Sequence, residues 1–203
     1  MTKLFRVIDE HTWLSCTVPR HLLRYMKDRT TDRKLRLWAC AATAHRYAQA
    51  QDVLDVVALV ERWADGDCPS ELKSRARHGL CSPSAWEAAY EGTLRALEKL
   101  PSSAKKDQCV QFQLAAVHEI FGNPFRPVTV APAWRSPSVL ALAQAAYDER
   151  LMPSGGLDPS RLGILSDALE EAGCTAPEVL GHLRSPGPHV RGCWLLDLLL
   201  NRE

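Results

Sequence analysis

Apolar side chains recur along most of this chain at spacings of three and four residues. Leu35, Trp38, Ala39 and Ala42 form one such stripe, and the valines of residues 53–60 form another. Because an α-helix has about 3.6 residues per turn, this spacing places the apolar side chains on one buried face. No run alternates apolar and polar residues for long enough to predict a β-strand. The pattern predicts an all-α fold, a multi-helix bundle or short helical array of about 8–10 helices.

Capping residues and prolines divide this pattern into separate helices. Pro19 suits the first turn of a helix, Gly66 suits the left-handed end of another, and Ser70 and Ser82 suit N-caps. The main predicted helices span residues 32–48, 51–64, 105–121, 138–150, 159–172, 177–183 and 192–200, and shorter ones are expected near residues 12–16 and after Pro19, Ser70 and Ser82.

Four prolines interrupt the helical pattern between residues 122 and 137: Pro124, Pro127, Pro132 and Pro137. They cannot share the interior of one helix, so this segment is predicted to be an extended or polyproline-like arm. The arm divides the chain into an N-terminal helical lobe, residues 1–121, and a C-terminal helical lobe, residues 138–203. We expect the two lobes to form one compact domain.

Composition and charge narrow the cellular setting. The formal net charge is +1, which provides no overall field to attract nucleic acid or an anionic membrane. The first ten residues reach acidic side chains before any apolar run of signal-peptide length, and the most apolar stretches fall short of the ~20 residues that span a bilayer. An odd number of scattered cysteines is typical of reduced thiols. We expect a cytoplasmic protein that does not enter a membrane.

Motifs of familiar active sites are missing from the sequence. There is no phosphate-binding loop, no dinucleotide-binding glycine pattern and no serine elbow. His118 and Glu119 begin like the helix of a zinc protease, but the second histidine one turn later is missing. We therefore predict no catalytic residue and favour a non-enzymatic protein.

Five segments of the chain resemble a known group of proteins. They are DRKLRLWAC at 32–40, EIFGNPFRPV at 119–128, DALEEAGC at 167–174, HVRGCW at 189–194 and DLLL at 197–200. Together they resemble a large paralogous family of uncharacterised planctomycete-type bacterial helical proteins. The resemblance implies no particular activity, substrate or ligand. Expansion into many paralogues suits a regulatory, adaptor or conflict-system role better than a housekeeping enzyme.

A candidate metal site lies near the C-terminus, where two thiols and two imidazoles could form a tetrahedral structural zinc site. Its four predicted ligands are Cys174, His182, His189 and Cys193. The turn Ser185-Pro186-Gly187-Pro188 could bring the two histidines together. The alternative is that these residues are ordinary helix-capping and core residues.

A basic segment, residues 20–36, is the first candidate for a partner-binding surface. Its main predicted contact residues are Arg20, Arg24, Arg33, Lys34 and Arg36. They could meet an acidic protein surface or a phosphate backbone, with Tyr25 or Trp38 available for stacking. The alternative is a solvated helical surface paired with Asp28 and Asp32.

The arm is the second candidate surface. Phe125, Arg126 and Trp134 are side chains of the kind that anchor protein interfaces. The alternative, which we favour, is that they hold the arm against its own helices and clamp the two lobes together.

These observations favour one function and leave two others open. We expect an adaptor-like, non-enzymatic module that binds another protein, with no cofactor. The first alternative is a small module stabilised by structural zinc at Cys174, His182, His189 and Cys193. The second is nucleic-acid binding through the basic segment.

Overall fold

The computed structural model describes residues 8–67, 69–75, 78–90, 94, 97, 100 and 103–202. Over these residues the chain forms ten α-helices and three 3₁₀ helices, and its only extended pairing is one isolated bridge between Leu151 and Gly156. This confirms the all-α prediction. Of the seven cysteines, Cys68 lies outside the described residues.

The helices follow one another with short connections. The α-helices are α1 Glu10–Ser15, α2 Pro19–Met26, α3 Asp32–Arg46, α4 Gln51–Ala64, α5 Ala85–Ala89, α6 Ala104–Phe121, α7 Pro137–Asp148, α8 Pro159–Glu171, α9 Pro177–Leu183 and α10 Trp194–Leu200. The 3₁₀ helices are Ser70–Arg75, Gly79–Cys81 and Pro132–Arg135. None of the described helices is both long and apolar enough to cross a membrane.

Side-chain caps explain where several helices begin. The hydroxyl of Thr31 accepts a hydrogen bond from the Lys34 amide at the start of α3, and Ser136 caps α7 in the same way. The predicted N-cap at Ser82 is wrong. Ser84 caps α5 instead, because the Ser82 hydroxyl donates to Glu87 at 2.9 Å. The segment after Ser70 is a 3₁₀ helix.

Each lobe contains its own hydrophobic core. The N-terminal core is built around Trp13, Trp38 and Ile120, all fully buried, and the C-terminal core around Tyr147 and Leu165, also fully buried. The lobes meet where the chain enters α10. There Val190, from the C-terminal part of the sequence, packs into the N-terminal core.

The arm runs across both cores. Phe125 packs against the N-terminal core, whereas Val128, Val130 and Trp134 pack against the C-terminal core. The last part of the arm is the 3₁₀ helix Pro132–Arg135, which corrects the expectation of an extended conformation throughout. The arm is thus packed against its own lobes by apolar side chains.

Candidate functional site

Arg33, one of the predicted partner-binding residues, is largely buried instead of exposed. Its side chain is only 12% exposed, and its guanidinium contacts Asp65 at 2.8 Å and Asp197 at 2.7 Å. It also donates to the hydroxyl of Tyr147 at 2.6 Å. The expectation that Arg33 belongs to a partner-binding surface is therefore wrong, because the carboxylates between the lobes bind its charge.

Asp65 is the centre of this network, which we call the seam network: Arg33, Asp65, Tyr147, Arg191, Asp197 and Arg202. Arg191 donates to Asp65 at 2.9 Å, and the Tyr147 hydroxyl donates to it at 3.1 Å. Burial by itself would raise the pKa of Asp65, but the hydrogen bonds and charges of Arg191 and Arg33 outweigh it and hold that pKa below its ordinary value. Burial raises the pKa of Tyr147 to about 12, so its hydroxyl keeps its proton.

Arg36 and Lys34 do not form an exposed basic surface either. Arg36 is 6% exposed, lies 3.8 Å from the ring centre of Trp63 and donates to the carbonyl of Ser82 at 2.7 Å. The prediction of a partner-binding role for Arg36 is wrong, because its guanidinium is buried against Trp63 and donates to backbone carbonyls. Lys34 is half-buried at the start of α3.

The part of the basic segment that faces solvent lies on α2 and the turn after it. Arg24, Lys27 and Arg29 are exposed, and each lies over an aromatic ring. We call this region the basic–aromatic surface: Arg24, Lys27, Arg29, Tyr25, Trp86, Tyr90 and Phe125.

The rings of the basic–aromatic surface form two stacked pairs. Trp86 and Tyr90 stack with ring centres 5.1 Å apart, and Tyr25 stacks on Phe125 at 5.8 Å. Lys27 lies 5.0 Å from the Trp86 ring centre, and Arg29 lies 4.4 Å from that of Tyr25. Within the described parts of the chain, no carboxylate pairs with Arg24, Lys27 or Arg29. Their charges are therefore available to an acidic partner.

The remaining predicted contact residues lie around this surface or away from it. Arg20 is exposed on α2 and has a contact of its own. Arg126, 75% exposed, pairs with Glu10 at 2.5 Å, which holds the arm against α1. Trp134 packs against the C-terminal core and is not part of the basic–aromatic surface.

The second candidate site is a buried group between the lobes, which we call the His–Cys cluster: Glu119, His182, His189 and Cys193. Sγ of Cys193 and Nε2 of His182 lie 3.1 Å apart, within hydrogen-bond distance. The same Nε2 lies 3.5 Å from a carboxylate oxygen of Glu119. Glu119 comes from α6 in the N-terminal lobe, whereas the other three residues come from the C-terminal lobe.

His189 supports Glu119 from the other side. Its Nδ1 donates to the Glu119 carboxylate at 3.2 Å, and its Nε2 donates to the Ser185 carbonyl at 3.0 Å. Burial lowers the pKa of His189, but the bond and charge of Glu119 outweigh burial and raise it above its ordinary value. For His182 burial prevails and lowers the pKa, so that ring is neutral at pH 7.

Cys174 lies apart from these residues. Its thiol is 2% exposed within the C-terminal core, and the three potential ligand atoms that converge belong to Glu119, His182 and Cys193. The predicted set of four ligands therefore needs correction, because Cys174 follows the end of α8, where its backbone amide donates a hydrogen bond to the Leu169 carbonyl. Sequence reasoning missed Glu119. The sequence feature that could have indicated its burial is the position of this acidic residue on the apolar face of α6, beside Ile120.

The contact between Cys193 and His182 does not make a catalytic nucleophile. A reactive cysteine needs a thiolate that is accessible to substrate. Cys193 is fully buried, and burial raises the pKa of its thiol well above the ordinary value, with the Glu119 charge adding to the effect. Glu119 also contacts the same ring nitrogen as the thiol, so it does not orient the ring through Nδ1.

A cavity of about 320 Å³ opens beside the His–Cys cluster. Its walls are mostly apolar side chains of α3 and α4 and the loop that follows α7. Glu61 and Arg150 form a buried ion pair at 2.7 Å on one side, and His189 and Arg191 lie on another. Glu61 pairs with Arg150, and Arg191 pairs with Asp65. The described arginines and the carboxylate in the cavity wall therefore already have partners.

The protein is thus an all-α array of two lobes. The basic–aromatic surface lies on the N-terminal lobe, and the His–Cys cluster lies between the lobes. Comparison with protein-family models, curated proteins and solved structures finds no match to this chain.

Proposed function

We propose that this protein is a non-enzymatic, adaptor-like module that binds an acidic segment of another protein through its basic–aromatic surface. The observation that carries the proposal is that Arg24, Lys27 and Arg29 are exposed over aromatic rings and have no carboxylate partner in the described chain. Other arginines, such as Arg33 and Arg191, are bound by carboxylates.

The stacked rings favour a protein partner with both acidic and aromatic residues. Partly exposed aromatic side chains offer large contact area at low entropic cost, and cations beside them pair with carboxylates at the rim. Phe125 extends the ring surface from the arm, because it stacks on Tyr25. This gives the arm a role at the edge of the binding surface as well as in joining the lobes.

Nucleic acid is the second candidate for the same surface, but we favour it less. Affinity for a phosphate backbone rises with the number of cations that contact it. Arg33 and Arg36, which were expected to contribute, are turned inward. The remaining cations are sufficient for a short acidic peptide.

We further propose that the protein acts in the cytoplasm. The cysteines of the described chain are all free thiols, which suits a reducing compartment. The resemblance to an expanded bacterial family is compatible with an adaptor role.

A binding experiment with a matched control tests the proposal. The probe is a fluorescein-labelled peptide that alternates glutamate with tyrosine, and binding is measured by fluorescence anisotropy. Lys27→Gln combined with Arg29→Gln should weaken binding about tenfold, equivalent to about 1.4 kcal/mol. Lys105→Gln combined with Arg161→Gln removes the same charge from α6 and α8 and should leave binding unchanged.

Three other outcomes would count against the proposal. Equal loss of affinity in both double variants would mean that only net charge matters. Tighter binding of a labelled oligothymidylate, with an affinity that falls steeply with salt, would favour the nucleic-acid alternative. No binding of either probe by the wild-type protein would contradict both.

A further inference from the structure

The His–Cys cluster contains the one group of three convergent metal-ligand atoms in the part of the chain that the structure describes. One carboxylate oxygen of Glu119, Nε2 of His182 and Sγ of Cys193 all lie within 4.8 Å of one another. All three side chains lie at the seam between the lobes, where Glu119 and Cys193 are buried and His182 is 16% exposed. The cluster is separate from the basic–aromatic surface, so this inference is independent of the proposed function.

The distances within the cluster fit a tetrahedral ion with little movement. With Zn–S of about 2.3 Å and Zn–N of about 2.0 Å, tetrahedral angles place sulfur and nitrogen about 3.5 Å apart and nitrogen and oxygen about 3.3 Å apart. The structure has Cys193 Sγ and His182 Nε2 at 3.1 Å, and His182 Nε2 and the Glu119 oxygen at 3.5 Å. Shifts of a few tenths of an ångström would bring these two pairs to tetrahedral separations, and the third pair, Cys193 Sγ and the Glu119 oxygen, lies within 4.8 Å.

The donor chemistry also suits zinc. Nitrogen, sulfur and carboxylate oxygen are the three donor types found in zinc sites, and thiolate excludes the hard cations Mg²⁺ and Ca²⁺. Nε2 of His182 faces both of the other ligand atoms, at 3.1 Å from Cys193 Sγ and 3.5 Å from the Glu119 oxygen. One carboxylate and one thiolate bring two negative charges to a divalent ion, which matters in a buried site.

His189 provides the support that metal-binding carboxylates usually have. It donates to Glu119 through Nδ1 and is itself fixed by the Ser185 carbonyl. Such outer hydrogen bonds orient a ligand and hold it in place. The ring of Trp194, centred 5.1 Å from that of His182, covers another side of the cluster.

We propose that Glu119, His182 and Cys193 bind a Zn²⁺ ion whose fourth position is taken by water. On binding, the Cys193 thiol gives up its proton to solvent, and a Zn–S bond replaces the S–H bond. Because Glu119 belongs to α6 and the other two ligands to the C-terminal lobe, the ion joins the lobes directly. Zinc binding should therefore raise the melting temperature.

Cobalt substitution tests the ligand set. The full chain, purified without a histidine tag and treated with chelator, is titrated with Co²⁺ and followed by absorption. One equivalent should produce the near-ultraviolet charge-transfer band of a cobalt–thiolate bond. The band should vanish in Cys193→Ser and remain in Cys174→Ser, a matched control in which another buried thiol of the same lobe is changed.

A second variant keeps the test decisive if Cys193→Ser does not fold. Glu119→Gln retains the thiol, so it should keep the cobalt–thiolate band but bind Zn²⁺ more weakly by about tenfold or more, measured by competition with a chelating dye. No thiolate band in the wild-type protein, the same band in a folded Cys193→Ser protein, or unchanged zinc affinity in Glu119→Gln would each overturn the proposal.

Discussion

Arg33 shows how strongly burial determines what a charged residue does. Its guanidinium contacts Asp65, Asp197 and Tyr147, and it also donates to the Arg202 carbonyl at 2.9 Å. Arg24, only nine positions earlier, is exposed and makes one long hydrogen bond to Tyr90 at 3.4 Å. The same residue type therefore holds the lobes together at one position and remains available for binding at the other.

The loss of Arg33 should be costly for stability. Arg33→Met removes one partner of a buried ion pair and leaves Asp197, which is fully buried, without its cation. Such a loss costs about 3–5 kcal/mol. Arg24→Met, the matched control on α2, should cost at most about 1 kcal/mol, because an exposed cation–π contact is worth little. Urea unfolding followed by circular dichroism measures both, and a cost below that of the control would contradict the role given to Arg33.

The spacing of apolar residues could not distinguish these two arginines. Periodicity shows which face of α3 is apolar, and it correctly grouped Leu35, Trp38 and Ala39 in the core. It does not show that Asp65 and Asp197, far apart along the chain, lie where they can bind Arg33. For the same reason the sequence suggested His182 and Cys193 as neighbours but not Glu119, which lies on another helix.

Helix boundaries were easier to predict than the connections between helices. The predicted spans 51–64 and 177–183 match α4 and α9, because Gly66 follows the end of α4 with a positive φ and Pro177 begins α9. The region after Ser70 differs because local hydrogen bonds, such as that from the Ser74 hydroxyl to the Glu71 carbonyl at 2.7 Å, favour tight turns. Such short-range bonds compete with α-helix formation and leave no periodic signal.

The backbone of Gly192, just before α10, lies close to a side chain of the other lobe. Its φ is +89°, and a Cβ atom there would lie 2.9 Å from Cδ1 of Leu37. Gly163 lies inside α8, and a Cβ atom there would meet nothing within 4 Å. Two glycines in the same lobe therefore lie in opposite environments.

Alanine substitutions at these glycines should change stability in opposite directions. Gly192→Ala combines a strained φ with a contact against the N-terminal core and should destabilise by about 1–3 kcal/mol. Gly163→Ala should stabilise by about 0.5–1 kcal/mol, because alanine loses less backbone entropy in a helix. Thermal unfolding of both variants measures the effects. Equal changes in the same direction would show that the seam tolerates a side chain at Gly192.

At the scale of the whole molecule, the two lobes meet through contacts of different kinds. Val190 supplies an apolar contact, the seam network supplies ion pairs, and the His–Cys cluster supplies polar contacts from Glu119. The arm adds a covalent connection that packs on both cores. Because an apolar seam holds lobes together at any pH, only the charged part of the contact should make stability depend on acidity.

Asp65 should therefore give stability an acid-sensitive component. Its pKa is lower in the folded protein than the ordinary value of about 3.9, since Arg191 and Arg33 outweigh the effect of burial. A lowered pKa adds stability above the unfolded pKa, and this stability is lost as pH falls through the folded pKa. Asp65→Asn should thus lower the melting temperature at pH 7, and the difference from wild type should narrow as the pH falls below about 4.

A control substitution on α4, the helix that ends just before Asp65, separates this effect from general acid unfolding. Asp197, whose pKa burial raises, acts in the opposite sense and is present in both proteins. Asp55→Asn changes an exposed aspartate on α4 that contacts only Gln51 and should leave the acid limb as in wild type. Melting temperatures from pH 7 to pH 2 test this. A difference between Asp65→Asn and wild type that stayed constant over that range would mean that the arginines do not hold the lobes together through the Asp65 charge.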